Sequence, residues 1–216
     1  MDPTLQIIIT GLVTLAAAFL GAWYAFRLTD NARKRQLLTD QVSAINRALF
    51  VLGSHLNTLL GIRQQLIDPI RDDENKFMSM RPAQQFGEDA LRVDLSSLEF
   101  LIETDHRTIL MQLHIQQERF DTTIQALNER SRLHLEVLQP KMAELGIAEF
   151  TEYPRNELLT ALGEPLVLYM QRATDIAITS VDITLETHTD LMNSLHSAMQ
   201  IHFPDSTIII VVPEPI

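Results

Sequence analysis

Any chemistry in this chain has to come from histidine, carboxylate and arginine. The 216 residues include seven histidines, 28 acidic side chains and no cysteine. Without thiols there is no disulfide scaffold, no thiolate zinc site and no cysteine nucleophile. Glu103 and His106 form one Glu-x-x-His pair. A di-metal carboxylate bundle needs two such pairs and further glutamates from facing helices, and the sequence offers no second pair. His188, His196 and His202 share one helical tract, with Glu186 and Asp190 flanking His188. Residues two apart point to different sides of a helix, so this tract reads as a polar seam and not as a ligand set. There is no His-Glu-x-x-His, no glycine-rich phosphate loop and no Gly-x-Ser-x-Gly elbow. No catalytic, cofactor-binding or metal-ligating residue is assigned.

Arg107 and His114 are separated by six residues in a helical tract. The spacing resembles the Arg-x4–6-His motif of HEPN ribonucleases, which are helical bundles. The resemblance implies that Arg107 and His114 act on an RNA phosphodiester. It covers two residues, and Thr108 departs from the Asn, Asp or His usual after the arginine. The net charge of −11 opposes it, because phosphate binding draws on clustered Lys and Arg. Neither nucleic acid nor a small-molecule substrate is expected as a partner.

The elements that would position these side chains are helices. Aromatics make up only 6% of the chain, and glycine and proline are sparse, which suits long helices better than a sandwich or barrel. From Leu5 to Phe26 the chain carries no charge. At about 1.5 Å per residue that run is roughly 33 Å long as a helix, against about 30 Å of bilayer hydrocarbon. Trp23 and Tyr24 stand where an interfacial aromatic belt would lie, and Arg27, Arg33, Lys34 and Arg35 follow. By the positive-inside rule this flank stays in the cytoplasm. The expectation is a membrane anchor over residues 1–28 with the N-terminus outside, in the inner membrane if the cell is bacterial. Within the run, Ala17, Gly21 and Ala25 recur every four residues, a small-residue row through which two copies could associate.

Proline spacing divides the remainder. No proline lies between Pro3 and Pro69, between Pro82 and Pro140, or between Pro165 and Pro204, and an interior proline costs a helix about 3 kcal/mol. Leu38, Val42, Ile45, Leu49, Leu52, Leu56 and Leu59 alternate steps of four and three, a heptad seam. Leu110, Leu113, Phe120, Ile124, Leu127 and Leu138 share a second seam, interrupted by Gln117, Ser131 and His134. A third face takes in Met170, Ala173, Ala177, Thr184, Leu191, Leu195 and Met199. Ser96 and Glu99 have the form of a capping box at the start of the second tract. The predicted fold is all-α. A single N-terminal transmembrane helix continues into an elongated antiparallel three-helix, or four-helix, coiled-coil-like bundle over residues 29–202. Its long helices are 30–67, 96–139 and 166–201, and residues 68–95 form a loop in which Phe77, Met78, Met80 and Phe86 pin the chain to the bundle.

Residues 203–216 form an extended apolar tail. Ile208, Ile209, Ile210, Val211 and Val212 are too apolar to stand in water as a row. They dock on their own bundle, pair with the 68–95 loop, or bind a protein partner by strand addition. An up-down-up bundle would bring the tail and the 68–95 loop to one pole and Phe150 and Tyr153 to the other. The expected function is that of a membrane-anchored, non-enzymatic tether, adaptor or signalling partner. Its partners would be lipid, a protein and a second copy of the chain, and it would need no cofactor. The alternatives are a helical-bundle enzyme, HEPN-like or metal-carboxylate, and a membrane-active effector.

Overall fold

The computed structural model describes residues 3–83, 91–104, 106–147, 153–204 and 206–209, with the backbone alone for residues 4–10 and 13. Six α-helices follow in order: α1 Pro3–Ile62, α2 Lys76–Ser79, α3 Arg107–Leu133, α4 Gln139–Glu144, α5 Arg155–Leu162 and α6 Glu164–His202. Among the described residues every regular element is helical. The chain divides into two units, residues 1–43 and residues 44–216.

Unit 1 is helix. Leu12, Leu15, Phe19, Leu20, Trp23, Tyr24, Phe26 and Leu28 are each at least half exposed. The Arg27 guanidinium lies 5.3 Å from the centre of the Trp23 ring, within range of a cation–π contact. Lys34 pairs with Asp30 one turn away at 2.7 Å. A Cβ placed on Gly21 would meet nothing within 4 Å, so the small-residue row is open. Among the described residues no helix is long and apolar enough to cross a membrane. The predicted transmembrane helix is therefore unsupported by the described part of α1, and the side chains of residues 5–10 and 13, which belong to the uncharged run, lie outside it.

Unit 2 is built on residues 44–62 of α1, on α3 and on α6. Most positions of the predicted seams form its core; Leu38 is exposed on unit 1, and Val42, Leu110 and Ala173 are only partly buried. Ile45, Leu49, Leu52, Leu56 and Leu59 are buried, as are Leu113, Phe120, Ile124, Leu127 and Leu138, and Met170, Ala177, Leu191, Leu195 and Met199. Phe77 and Met78 close one end against Leu133, Leu138, Met142, Leu158, Leu162, Val167 and Met170.

The helix directions differ from the up-down-up expectation. Asn46 bonds the tail at Thr207 and Ile209, His55 lies beside His188, and Arg63 faces Asp182. Hence α1 and α6 are antiparallel. His106 meets His202, Gln116 meets His188, and Arg130 meets Thr174, so α3 is also antiparallel to α6. It follows that α1 and α3 run parallel. The return between them is made by the segment after α2: residues up to 95, which the sequence reading treats as a polar loop, and residues 96–103, which it assigns to the second long helix. Leu98 and Leu101 are fully buried there in a 3-10 helix, Ser96–Glu103. The tail and the start of the loop consequently sit at opposite ends of unit 2: Asn46 holds the tail, whereas Asn75 bonds the Tyr153 carbonyl at 3.0 Å.

Two boundaries shift for local reasons. The predicted capping box at Ser96 is replaced by Asp94, whose carboxylate accepts from the Ser96 amide and hydroxyl and from the Ser97 amide. That turn starts the 3-10 segment, and α3 begins only at Arg107. Glu103 and His106 therefore fall on either side of an extended residue, Thr104, and not one turn apart on a helix. The second involves two of the three prolines that follow a long helix. A five-residue π turn, Arg63–Ile67, comes before Asp68-Pro69, and another, His134–Leu138, comes before Gln139-Pro140. A proline ring clashes with the carbonyl four residues back and donates no hydrogen bond; the wider turn moves that carbonyl aside.

Candidate functional site

The polar positions that interrupt the seams are buried and converge inside unit 2. His55, Gln116, Gln117, Thr123, Arg130, Ser131, His134, Thr174, Thr184 and His188 are all under one-tenth exposed. An irregular segment packed on helices has no ladder to satisfy its peptide groups, and each one left unpaired costs about 1–3 kcal/mol. Much of the polar seam supplies that ladder. The Phe77 carbonyl accepts from Arg130 at 2.9 Å. The Ala83 amide donates to Ser131 Oγ at 3.0 Å. The Leu91 carbonyl accepts from His55 Nε2 at 2.7 Å, and the Val93 amide donates to Gln117 Oε1 at 2.9 Å.

In the middle of unit 2 these groups meet α6. The His55 ring stacks on Phe120 at 3.8 Å, nearly parallel, and its centre is 5.6 Å from the His188 ring. Gln116 Nε2 donates to the Thr184 carbonyl at 3.1 Å and lies 2.6 Å from His188 Nδ1. Thr123 and Thr184 share a hydroxyl bond of 2.8 Å. His55 Nδ1 and His188 Nε2 are buried without a hydrogen-bond partner. Burial pushes both imidazoles below the usual histidine range, and His188 falls to about 4, its second cause being the neighbouring His55.

Toward α2, Arg130 is fully buried. Nε approaches Thr174 Oγ1 at 3.5 Å, one terminal nitrogen reaches Phe77 O and His134 Nδ1, and Nη1 has no partner. Burial alone lowers its pKa to about 10. Burial, then the Arg130 charge, lowers His134 to about 4. Outside this core, Arg71 holds the Asp182 carboxylate with two bonds of 2.8 and 3.0 Å, which keeps that carboxyl below its ordinary range. Lys76 pairs with Asp175 at 2.8 Å. Both ion pairs fasten the chain around α2 to α6.

Of the side chains singled out in the sequence, Ala17, Gly21, Ala25, Arg27, Arg33, Lys34 and Arg35 all lie exposed on unit 1. Ile208 is buried and Ile209 half-exposed, with the Ile209 amide bonded to Asn46; Ile210, Val211 and Val212 lie outside the described residues. Arg107 and His114 are exposed on the first turns of α3. Neither lines the nearby groove between α3 and α6, whose walls include Gln112, Ile115, Arg119 and Asp190. His188 is buried, whereas His202 is exposed on the same helix. Among the described residues no three His, Asp or Glu side chains are placed to hold a metal ion. A larger groove, about 770 Å³, runs along α3 between Pro82, Ala83 and Glu136.

Sequence reasoning missed the convergence of His55, Gln116 and Arg130 with α6. Gln117, Ser131 and His134 carried a signal, as polar residues on an apolar seam. His55 and Arg130 fall outside the seam pattern. Comparison with protein-family models, with curated proteins and with solved structures finds no match to this chain.

Proposed function

We propose that the protein is a membrane-anchored helical adaptor, held at the bilayer by unit 1 and presenting unit 2 to a protein partner without itself catalysing a reaction. One observation carries this reading: the row of large apolar side chains from Leu12 to Leu28, each at least half exposed on a helix. Such a row in water would bind whatever apolar phase is at hand. The uncharged run Leu5–Phe26 is of a length that suits lipid. Arg27 over Trp23 is the pairing expected at a headgroup boundary. Arg33, Lys34 and Arg35 supply the basic flank that would keep unit 2 on the cytoplasmic side. The open row at Ala17, Gly21 and Ala25 is a route for two copies to pair. The polar seam supports a structural role for unit 2, since His55, Gln117, Arg130 and Ser131 each bond a backbone amide or carbonyl of the segment packed on the helices.

The test is flotation with phosphatidylcholine–phosphatidylglycerol vesicles, full chain against a chain lacking residues 1–28. The full chain should float and withstand carbonate extraction, and the truncated chain should stay at the bottom while keeping its helical circular dichroism. Flotation of the truncated chain, or carbonate release of the full one, would overturn the anchor. A reporter active only in the cytoplasm, fused after Ile216, should be active in cells.

A further inference from the structure

We propose that the outer face of the α3–α6 pair is a homodimer interface, in which two copies of the chain pair Arg119 with Asp190 across a twofold axis. The inference does not rest on the membrane reading. It starts from a second periodicity in each helix. On α6, Ile176, Ser180, Ile183, Thr187 and Asp190 follow in steps of four and three, the spacing of a helix seam. On α3, Gln112, Ile115, Arg119, Thr122 and Ala126 follow in steps of three and four. Phe120 turns to His55 of α1 and Gln116 to α6, so the α3 row lies on the side of the α3–α6 contact away from α1. These outer rows are not spent on the core of unit 2. Ile176 is 58% exposed, Ile183 49% and Ile115 38%. A solvated helix face carries mainly charged and polar residues. These rows alternate isoleucine with small hydroxyl residues, a composition that suits contact with another helix.

Two opposite charges choose a second copy as the occupant. Arg119 and Asp190 stand on the two walls of the groove between α3 and α6. Gln116 bonds the Thr184 carbonyl and His188, so both charges lie within about one turn of the same level. Neither has an ion pair or hydrogen bond among the described residues. An axis parallel to the helices sets α3 of one copy against α6 of the other, antiparallel as in the pair itself. Each Arg119 then faces the other copy's Asp190, and both contacts form at once, as an isologous interface requires. The size also suffices. Residues 176–201 of α6 are about 38 Å long, and two helices about 9 Å apart present a face about 20 Å wide. That gives roughly 750 Å² per copy, close to the ~800 Å² per partner of a stable interface.

The test uses the full chain in detergent, with the variants Arg119→Asp, Asp190→Arg and the two combined. Both positions are exposed, so circular dichroism should not change. Sedimentation should show the wild type as a dimer. Each single variant opposes like charges at both contacts and should dissociate at least about tenfold more readily. The combined variant restores both attractions and should dimerise within about threefold of the wild type. Mixed together, the two single variants should prefer each other to themselves, because only the mixture sets unlike charges at both contacts. Ile183→Asp, exposed in the single chain, should weaken the dimer by roughly a hundredfold. A wild-type chain that stays monomeric at every concentration reached would overturn the proposal and leave the face to a different protein. A dimer whose single variants pair at random would overturn it too, and is the result expected if copies meet only through Ala17, Gly21 and Ala25.

Discussion

Arg130 is buried with no carboxylate beside it among the described residues, and its bonds run instead to the Phe77 carbonyl and Thr174. Burying a guanidinium costs several kcal/mol that a neutral chain of the same size would not incur. What the charge secures is a carbonyl at the end of α2 that no helix or sheet can reach. Arg130→Ala leaves that carbonyl unpaired and opens a cavity, and should cost about 3–5 kcal/mol. Arg130→Met fills the space and removes the buried charge, and should cost less, about 1–2 kcal/mol. Urea titrations of the two variants would give that order; a milder alanine would mean the site collapses freely. Because the Arg130 charge holds His134 down after burial has done so, Arg130→Met should also raise the His134 pKa from about 4, measurable by histidine titration.

At the scale of elements, polar side chains on helices stand in for strands. Asn46 shows this most simply: its amide donates to the Thr207 carbonyl at 3.1 Å and accepts from the Ile209 amide at 2.9 Å. That is the pair of bonds a neighbouring strand would make, and it seats Ile208 against the bundle. The tail's apolar row is thereby partly covered by its own unit. Asn46→Ala should cost about 1 kcal/mol, and truncation after Asp205 somewhat more through the loss of Ile208 burial. The two changes combined should cost no more than the truncation alone, because they remove one interaction. Denaturation of the three variants tests this, and additive losses would show that Asn46 acts elsewhere. The same economy explains the returning segment, where Ser131 and Gln117 accept from the Ala83 and Val93 amides and His55 donates to the Leu91 carbonyl.

For unit 2 as a whole, connectivity is the consequence. A returning segment without α-helix among its described residues joins α1 and α3 running parallel, with α6 antiparallel to both. The cysteine-free sequence makes this simple to check with paired cysteines and a short bismaleimide. Pairs at 46 and 207, and at 75 and 153, should crosslink within one chain. A pair at 75 and 207 should not. Efficient crosslinking of that last pair would restore the up-down-up arrangement.

The sequence by itself determined the all-helical class, most of the three buried seams and the ends of the third long helix, but not the start of the second. These depend on periodicity and on proline, which act within a few residues. It also marked Gln117, Ser131 and His134 as polar intruders, and it placed Ile208 between self-docking and display. Helix direction was decided only by the tertiary structure. Heptads read the same in either direction, and the segment that sets direction looks like a solvated loop until its backbone partners are known. His55, Gln116 and His188 come from different helices, more than sixty residues apart between α1 and α3 or between α3 and α6. Nothing local in the chain announces that they meet, because only the packing of α1, α3 and α6 brings them together.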